Sequence, residues 1–391
     1  MAPPRTASRD VAPEESPPPD GKTVARPGDP RHDPRSLVRP ELRALRAYHL
    51  DLSPCRHKLD QNEVPYELPP PVKRRIVERL LERSWATYPD FHSEGLRARL
   101  GERHRWPRDG VLVGNGSNEL LALTLEALAS PGDEVLIPVP SFGLYPVFCR
   151  RAGASPRFVG PAADARLPWD QLSDAVDHDP HRAVVLCSPN NPTGDALVPE
   201  RLDDLLGRLR APLLLDAAYA EFCRHDYRPL LERHRHLLIF RTFSKAWSLA
   251  GLRLGYLLAD PDLVTELIKV KLPYNVGLAG GLAGEETLAA RSAAERRIAA
   301  ILGRRPQWQT LLEASGFVVW PSEANFLLAR WPHEEPAVSA LRQGLEARGI
   351  RVRDVSGYPG LAGCLRFSVG DGRALRATRQ ALSELIPKAL S

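Results

Sequence analysis

From about residue 40 to about residue 280 the chain alternates short runs rich in Leu, Ile and Val with amphipathic stretches, and few architectures accept that pattern. VLVG leads into NELLALTLEALAS, and DEVLIPV, RAVVLCS, PLLLDAA and LLIFRTF follow at similar spacing. Each interval leaves room for a crossover helix between successive strands, so an α/β fold with a mostly parallel sheet wrapped by helices is expected. In open sheets of that kind ligands gather at the carboxyl ends of the strands. Most of these runs end in small or polar residues, and the chemistry is sought there.

A long helical pattern around ETLAARSAAERRIAAILGRR follows, and from about residue 310 FVVW, NFLLARW and CLRFSVG read as a smaller α+β domain. The expected organisation is a disordered Pro-rich tail over 1–40, an N-terminal arm over 41–70, a large domain over 71–285 and a small C-terminal domain over 286–391. The tail holds ten prolines and few large apolar side chains, so burial cannot offset its ordering entropy. Its acidic residues Asp10, Glu14, Glu15 and Asp20 argue against a transit peptide.

At 391 residues and 43% hydrophobic content the chain can bury a large core. The net charge of +5 is scattered rather than gathered into a stripe, which gives nucleic-acid binding little support. Five widely spaced cysteines form no metal-ligand pair and read as buried thiols of a reducing compartment. No apolar run reaches the length of a membrane span and no secretory leader is evident, so the cytoplasm is the expected address.

Of 53 basic residues only seven are lysine, leaving 46 arginines. Where a plain positive charge suffices, this chain uses arginine. Lys245, in RTFSKAWSLAGLR, is therefore conspicuous: a lysine amine can lose its proton and attack a carbonyl to form a Schiff base, which a guanidinium does not do. Thr242, Ser244 and Arg253 around it supply hydroxyls and a guanidinium suited to a dianion. A solvated lysine between a strand and a helix is the plain alternative.

VLVGNGSNELL resembles half of a dinucleotide fingerprint, but Glu119 stands where the third glycine belongs. What remains is a helix N-terminus at Ser117 and Asn118, suited to one phosphate group or simply capped. Asp216 ends an apolar strand, where a carboxylate is costly unless a cation or donor meets it, or caps the next helix. CSPNNPTG carries Asn191 in an irregular turn that turn chemistry alone accounts for, and Tyr219 follows Asp216 by three residues. Phe142, in PSFGLYP, is placed to cover a ring, though an isolated aromatic there is more often core. One ligand satisfies an amine, a phosphate cradle and a carboxylate together: pyridoxal 5'-phosphate, with an aldehyde for Lys245 and a ring nitrogen for Asp216.

In their order, GNGSNE, PSFGLY, SPNNPTG, DAAYAEF, RTFSKAWSLAGLRLGY and CLRFSVG resemble the fold-type-I pyridoxal-phosphate aminotransferases of classes I and II. Within that group KLDQNEVPY, KVKLPYNVG and SEANFLLARW look most like the histidinol-phosphate aminotransferases. The resemblance implies a large domain with a seven-stranded, mostly parallel sheet plus a smaller α+β domain. It implies that Lys245 holds the cofactor and shuttles the proton, that Asp216, Tyr219 and Asn191 bind its ring, and that Ser117, Asn118, Thr242, Ser244 and Arg253 bind its phosphate. It further implies a homodimer, with Tyr88 reaching the neighbouring subunit's cofactor phosphate, and substrate anions held by Arg366, Arg353 and Tyr48. Ala217 and Phe142 depart from the family pattern, where an acidic residue and a tyrosine are usual. The implied reaction is transamination between histidinol phosphate and 2-oxoglutarate. An aromatic amino acid aminotransferase, a phospho-amino-acid decarboxylase and a non-catalytic cofactor-binding sensor remain as alternatives.

Overall fold

The structure is a computed structural model that describes residues 33–45, 53–162, 164 and 166–389. Residues 1–32, most of the expected Pro-rich tail, lie outside the described residues, as does Tyr48. The chain divides into two compact units, Met1–Ala47 and Tyr48–Ser391. The described part of the first is short: a 3-10 turn over Pro34–Leu37, begun by Asp33 accepting the Arg35 N–H, and a single helical turn over Pro40–Arg43.

The second unit contains two sheets. In chain order its strands are β1 (His57–Leu59), β2 (Val111–Gly114), β3 (Glu134–Pro138), β4 (Ser155–Val159), β5 (Ala183–Cys187) and β6 (Leu213–Asp216). They continue with β7 (Leu237–Thr242), β8 (Gly255–Leu258), β9 (Val318–Val319), β10 (Phe326–Arg330), β11 (Ile350–Asp354) and β12 (Cys364–Ser368). The larger sheet has seven strands in the order β2-β8-β7-β6-β5-β3-β4. All neighbours are parallel except those of β8, which runs against both β7 and β2. Two reversals restore the direction, so β2 points the same way as β5, β6 and β7 and their carboxyl ends fall on one edge.

The expected mostly parallel α/β architecture is thus present, and its sequence cause is visible strand by strand. Because side chains alternate between faces, each apolar run feeds two cores. Leu213, Leu215, Leu237 and Ile239 pack on one face, and Leu214, Leu238 and Phe240 on the other, all at 1% exposure or less. The helix Ser117–Leu128 covers the second face through Leu120, Leu121 and Leu125.

The smaller sheet is ordered β1-β11-β12-β10-β9. Its first strand, His57–Leu59, pairs in parallel with Ile350–Val352, almost 300 residues further along the chain. The long helical pattern near residue 290 is divided, one helix ending at Ala289 and the next running from Arg291 to Ala314.

Candidate active site

The turns after β2, β3, β5, β6 and β7, at the carboxyl edge of the larger sheet, meet in a cavity of about 320 Å³. After β2 the backbone turns through Gly116 at φ +91° into the helix that begins at Ser117, which has no side-chain cap. The first N–H groups of that helix have no partner within it, and its positive end suits an anion. Glycine is required twice in this corner. A Cβ on Gly116 would lie 2.7 Å from Arg253 Nη2, and one on Gly255 would lie 2.3 Å from the Ser117 nitrogen.

The turn after β7 adds hydroxyls and a cation. Thr242 Oγ1 accepts the Ser244 N–H at 3.1 Å, and Arg253 donates from Nη1 to Ser244 Oγ at 3.0 Å. Ser117, Asn118, Thr242, Ser244 and Arg253 therefore line one end of a single cavity, a donor set matched to a phosphate.

Lys245 projects into the same cavity and donates to the Gln61 carbonyl at 2.6 Å. Burial, reinforced by the Arg366 guanidinium, brings its amine down to about 8, against the opposing pull of Glu63 and Asp216. An amine so placed is a nucleophile and a base near neutral pH.

Asp216, at the last position of β6, is buried; burial pushes its carboxyl up, while Tyr145, the Ala218 N–H and Lys245 oppose that rise. Tyr145 donates to Oδ2 at 2.7 Å and the Ala218 N–H to Oδ1 at 3.1 Å. A buried carboxylate raised by desolvation is completed by a cation, and the protonated nitrogen of a pyridine ring supplies one. Tyr219 accepts from Asn62 Nδ2 at 3.0 Å, and burial raises its phenol above its usual range.

The smaller sheet contributes the remaining wall. Arg353 on β11 and Arg366 on β12 are direct antiparallel partners, so both side chains stand on one face, and both line the cavity. Arg366 donates from Nη1 to Asn191 Oδ1 and from Nη2 to the Asp60 carbonyl. Because Asn191 accepts through its oxygen, its amide N–H₂ is the group left to address a ligand. Phe142 lines the cavity and meets Tyr145 edge to face at 5.5 Å.

Of the residues singled out in the sequence, Ser117, Asn118, Phe142, Asn191, Asp216, Tyr219, Thr242, Ser244, Lys245, Arg253, Arg353 and Arg366 all line this cavity. Tyr88 does not: it is 78% exposed and stacks on Tyr274 at 4.3 Å in a separate apolar groove. Tyr145, Gln61 and Asn62 were missed. Tyr145 had a signal, as the second aromatic of PSFGLYP; Gln61 and Asn62 sit in the recognised KLDQNEVPY but act through a carbonyl and an amide whose partners lie far away in sequence.

The donor set fits pyridoxal 5'-phosphate: a phosphate cradle, a nucleophilic amine and a buried carboxylate occur in one cavity, and the two glycine positions keep the phosphate corner open to backbone approach. The sequence profile of the family Aminotransferase class I and II matches residues 57–382. The chain is 33% identical over 351 residues to a histidinol-phosphate aminotransferase of Caldanaerobacter subterraneus subsp. tengcongensis, covering 90% of this chain and 99% of that one. It is 36% identical over 346 residues to histidinol-phosphate aminotransferase 1 of Ralstonia nicotianae, covering 86% and 90%. Among solved structures, histidinol-phosphate aminotransferase from Sinorhizobium meliloti in complex with pyridoxal-5'-phosphate superposes with a TM-score of 0.77 at 26% identity, covering 86% of this chain and 92% of that one.

Proposed function

We propose that this chain, which belongs to the class I and II aminotransferases, exchanges an amino group between histidinol phosphate and 2-oxoglutarate, giving imidazole-acetol phosphate and glutamate in histidine biosynthesis. The observation that carries the reading is the pair Arg353 and Arg366, set opposite one another on β11 and β12 in the cavity that holds Lys245. One pocket must accept a dicarboxylate and an imidazolyl phosphate without a carboxylate. A guanidinium fork pairs bidentately with either anion, so two of them serve both substrates.

Pyridoxal 5'-phosphate is the cofactor, and when bound it supplies an aldehyde that takes up the amino group and a protonated ring that takes up the electron pair of a broken Cα–H bond. Lys245 would hold the cofactor through its aldehyde, and as a free amine it would serve as the base for the substrate's Cα proton. The lowered affinity of that amine for protons suits both tasks. Asp216 keeps the ring nitrogen protonated, and Tyr145 keeps the carboxylate aimed. Tyr219 and the Asn191 amide hydrogen-bond the ring oxygen. Ser117, Asn118, Thr242, Ser244 and Arg253 would hold the phosphate and so orient the cofactor.

The working unit is a homodimer, and its location is the cytoplasm. Trp85 at 74%, Tyr88 at 78% and Leu272 at 71% exposure are large apolar side chains beside or within a groove of about 780 Å³, and a second copy covers them. In such a dimer Tyr88 would serve the neighbouring subunit's cofactor phosphate. Among the described residues no helix is long and apolar enough to cross a membrane.

Incubating the cofactor-loaded protein with histidinol phosphate and 2-oxoglutarate should yield glutamate in proportion to imidazole-acetol phosphate. No glutamate from this pair, or carbon dioxide released from phosphothreonine instead, overturns the substrate assignment.

A further inference from the structure

A buried ionic knot, next in sequence to residues that line the cavity, takes no part in the proposed reaction. Glu221, in the 3-10 turn Ala220–Phe222, accepts through Oε1 from two donors: Arg241 Nη2 at 2.8 Å and Trp247 Nε1 at 3.1 Å. The side chains of Glu221 and Arg241 are 3% and 10% exposed. Trp247 is pinned from a second side by Arg103, whose guanidinium carbon sits 4.7 Å from the indole centroid. Replacing a buried ion pair by apolar side chains is often neutral or stabilising, so folding alone gives weak reason for one here.

The addresses of the three residues supply a better reason. Glu221 follows Tyr219 by two positions, Arg241 immediately precedes Thr242, and Trp247 follows Lys245 by two. A single carboxylate oxygen therefore fastens three segments that reach the ring oxygen, the phosphate and the reactive amine. We propose that Glu221 is a positioning residue that holds the Lys245 turn against the Tyr219 turn through the Trp247 indole N–H. Supports of this kind keep reacting groups within a fraction of an ångström of productive geometry. The inference rests on Lys245 being the amine that carries the cofactor.

The discriminating variant is Trp247→Phe, which removes the indole N–H, keeps an aromatic ring in the core and leaves Glu221 paired with Arg241. Glu221→Leu, which removes the acceptor of the indole N–H, and the double variant complete a cycle. With holoenzyme, the glutamate half-reaction is followed by loss of the visible band, and the pH midpoint of that band is measured without donor. Trp247→Phe should slow the half-reaction about tenfold with KM changed less than about twofold, and should move the midpoint, at a melting temperature near that of the parent. The double variant should be no slower than Glu221→Leu alone, because that change already removes the acceptor of the Trp247 N–H. A half-reaction rate and a band midpoint unchanged in Trp247→Phe overturn the inference, as do losses that multiply in the double variant. If Glu221→Leu does not fold, Trp247→Phe alone decides. Borohydride labelling of Lys245 in the parent tests the underlying assignment separately, so labelled Lys245 with unaffected variants sinks this inference alone.

Discussion

Tyr145 and Asp216, 71 residues apart in sequence, meet at 2.7 Å in the buried layer between β6 and the helix Tyr145–Arg151, the phenol donating to Oδ2. The contact aims the carboxylate without neutralising it. In the cofactor-free protein Asp216 carries a proton more readily than an exposed aspartate, since burial raises it. A raised carboxyl contributes stability at low pH that is lost as pH rises through its folded value, so above that value the ionised group is a liability that a bound pyridinium would remove.

Asp216→Asn should accordingly leave the cofactor-free protein as stable as the parent or more so, while transamination falls by about 10²-fold or more, as when a group aimed at developing charge is lost. Melting curves with and without cofactor check this. The rise in melting temperature on loading should be smaller in the variant.

Lys245 titrates near 8 rather than at the usual lysine value, with burial as the main cause. Cofactor capture by the cofactor-free protein needs the neutral amine, so its rate should climb with pH and level off above about 8. The stability consequence has the opposite sense to that of Asp216. A lysine whose folded value is depressed costs stability below that value, and stability recovers as pH rises from about 8 toward the unfolded value. Lys245→Ala should retain fold and loose cofactor binding but lose about 10²- to 10⁴-fold in turnover.

Arg366 serves both the substrate wall and Asn191. Arg366→Ala should raise KM for glutamate and for the phosphorylated substrate together, with kcat also lowered because Asn191 loses its orienting partner. Arg353→Ala leaves the contact between Arg366 and Asn191 in place, and its effect should fall mainly on KM. Steady-state kinetics with both substrates separate the two.

Trp85→Glu places a charge in the apolar groove shared with Tyr88 and Tyr274. Sedimentation should show the parent as a dimer and the variant shifted toward monomer, with cofactor affinity reduced in step if Tyr88 reaches the neighbouring phosphate.

Local chemistry made the larger sheet and most of the cavity readable in the sequence. Runs such as LLLD and LLIFRT announce buried strands by composition, and a polar residue at the end of each marks the edge where ligands gather. Lys245 stood out against the arginine bias of its own chain. Pairings across long separations were not readable. β1 is only His57–Leu59, too short and too polar to declare itself, and it becomes a strand because β11 offers an edge. Tyr145 resembles any core tyrosine until Asp216 is placed beside it. That Arg353 and Arg366 share a wall follows from strand register, which twelve intervening positions of sequence do not state. The division of the helical pattern at Ala290 likewise has no marker in a stretch of strong helix formers.

The account turns on which amine carries the cofactor. Cofactor-saturated protein reduced with borohydride and digested should yield one modified peptide, with the pyridoxyl mass on Lys245 and on none of the other six lysines. A protein left unmodified there, or modified at a different lysine, contradicts the assignment of the site.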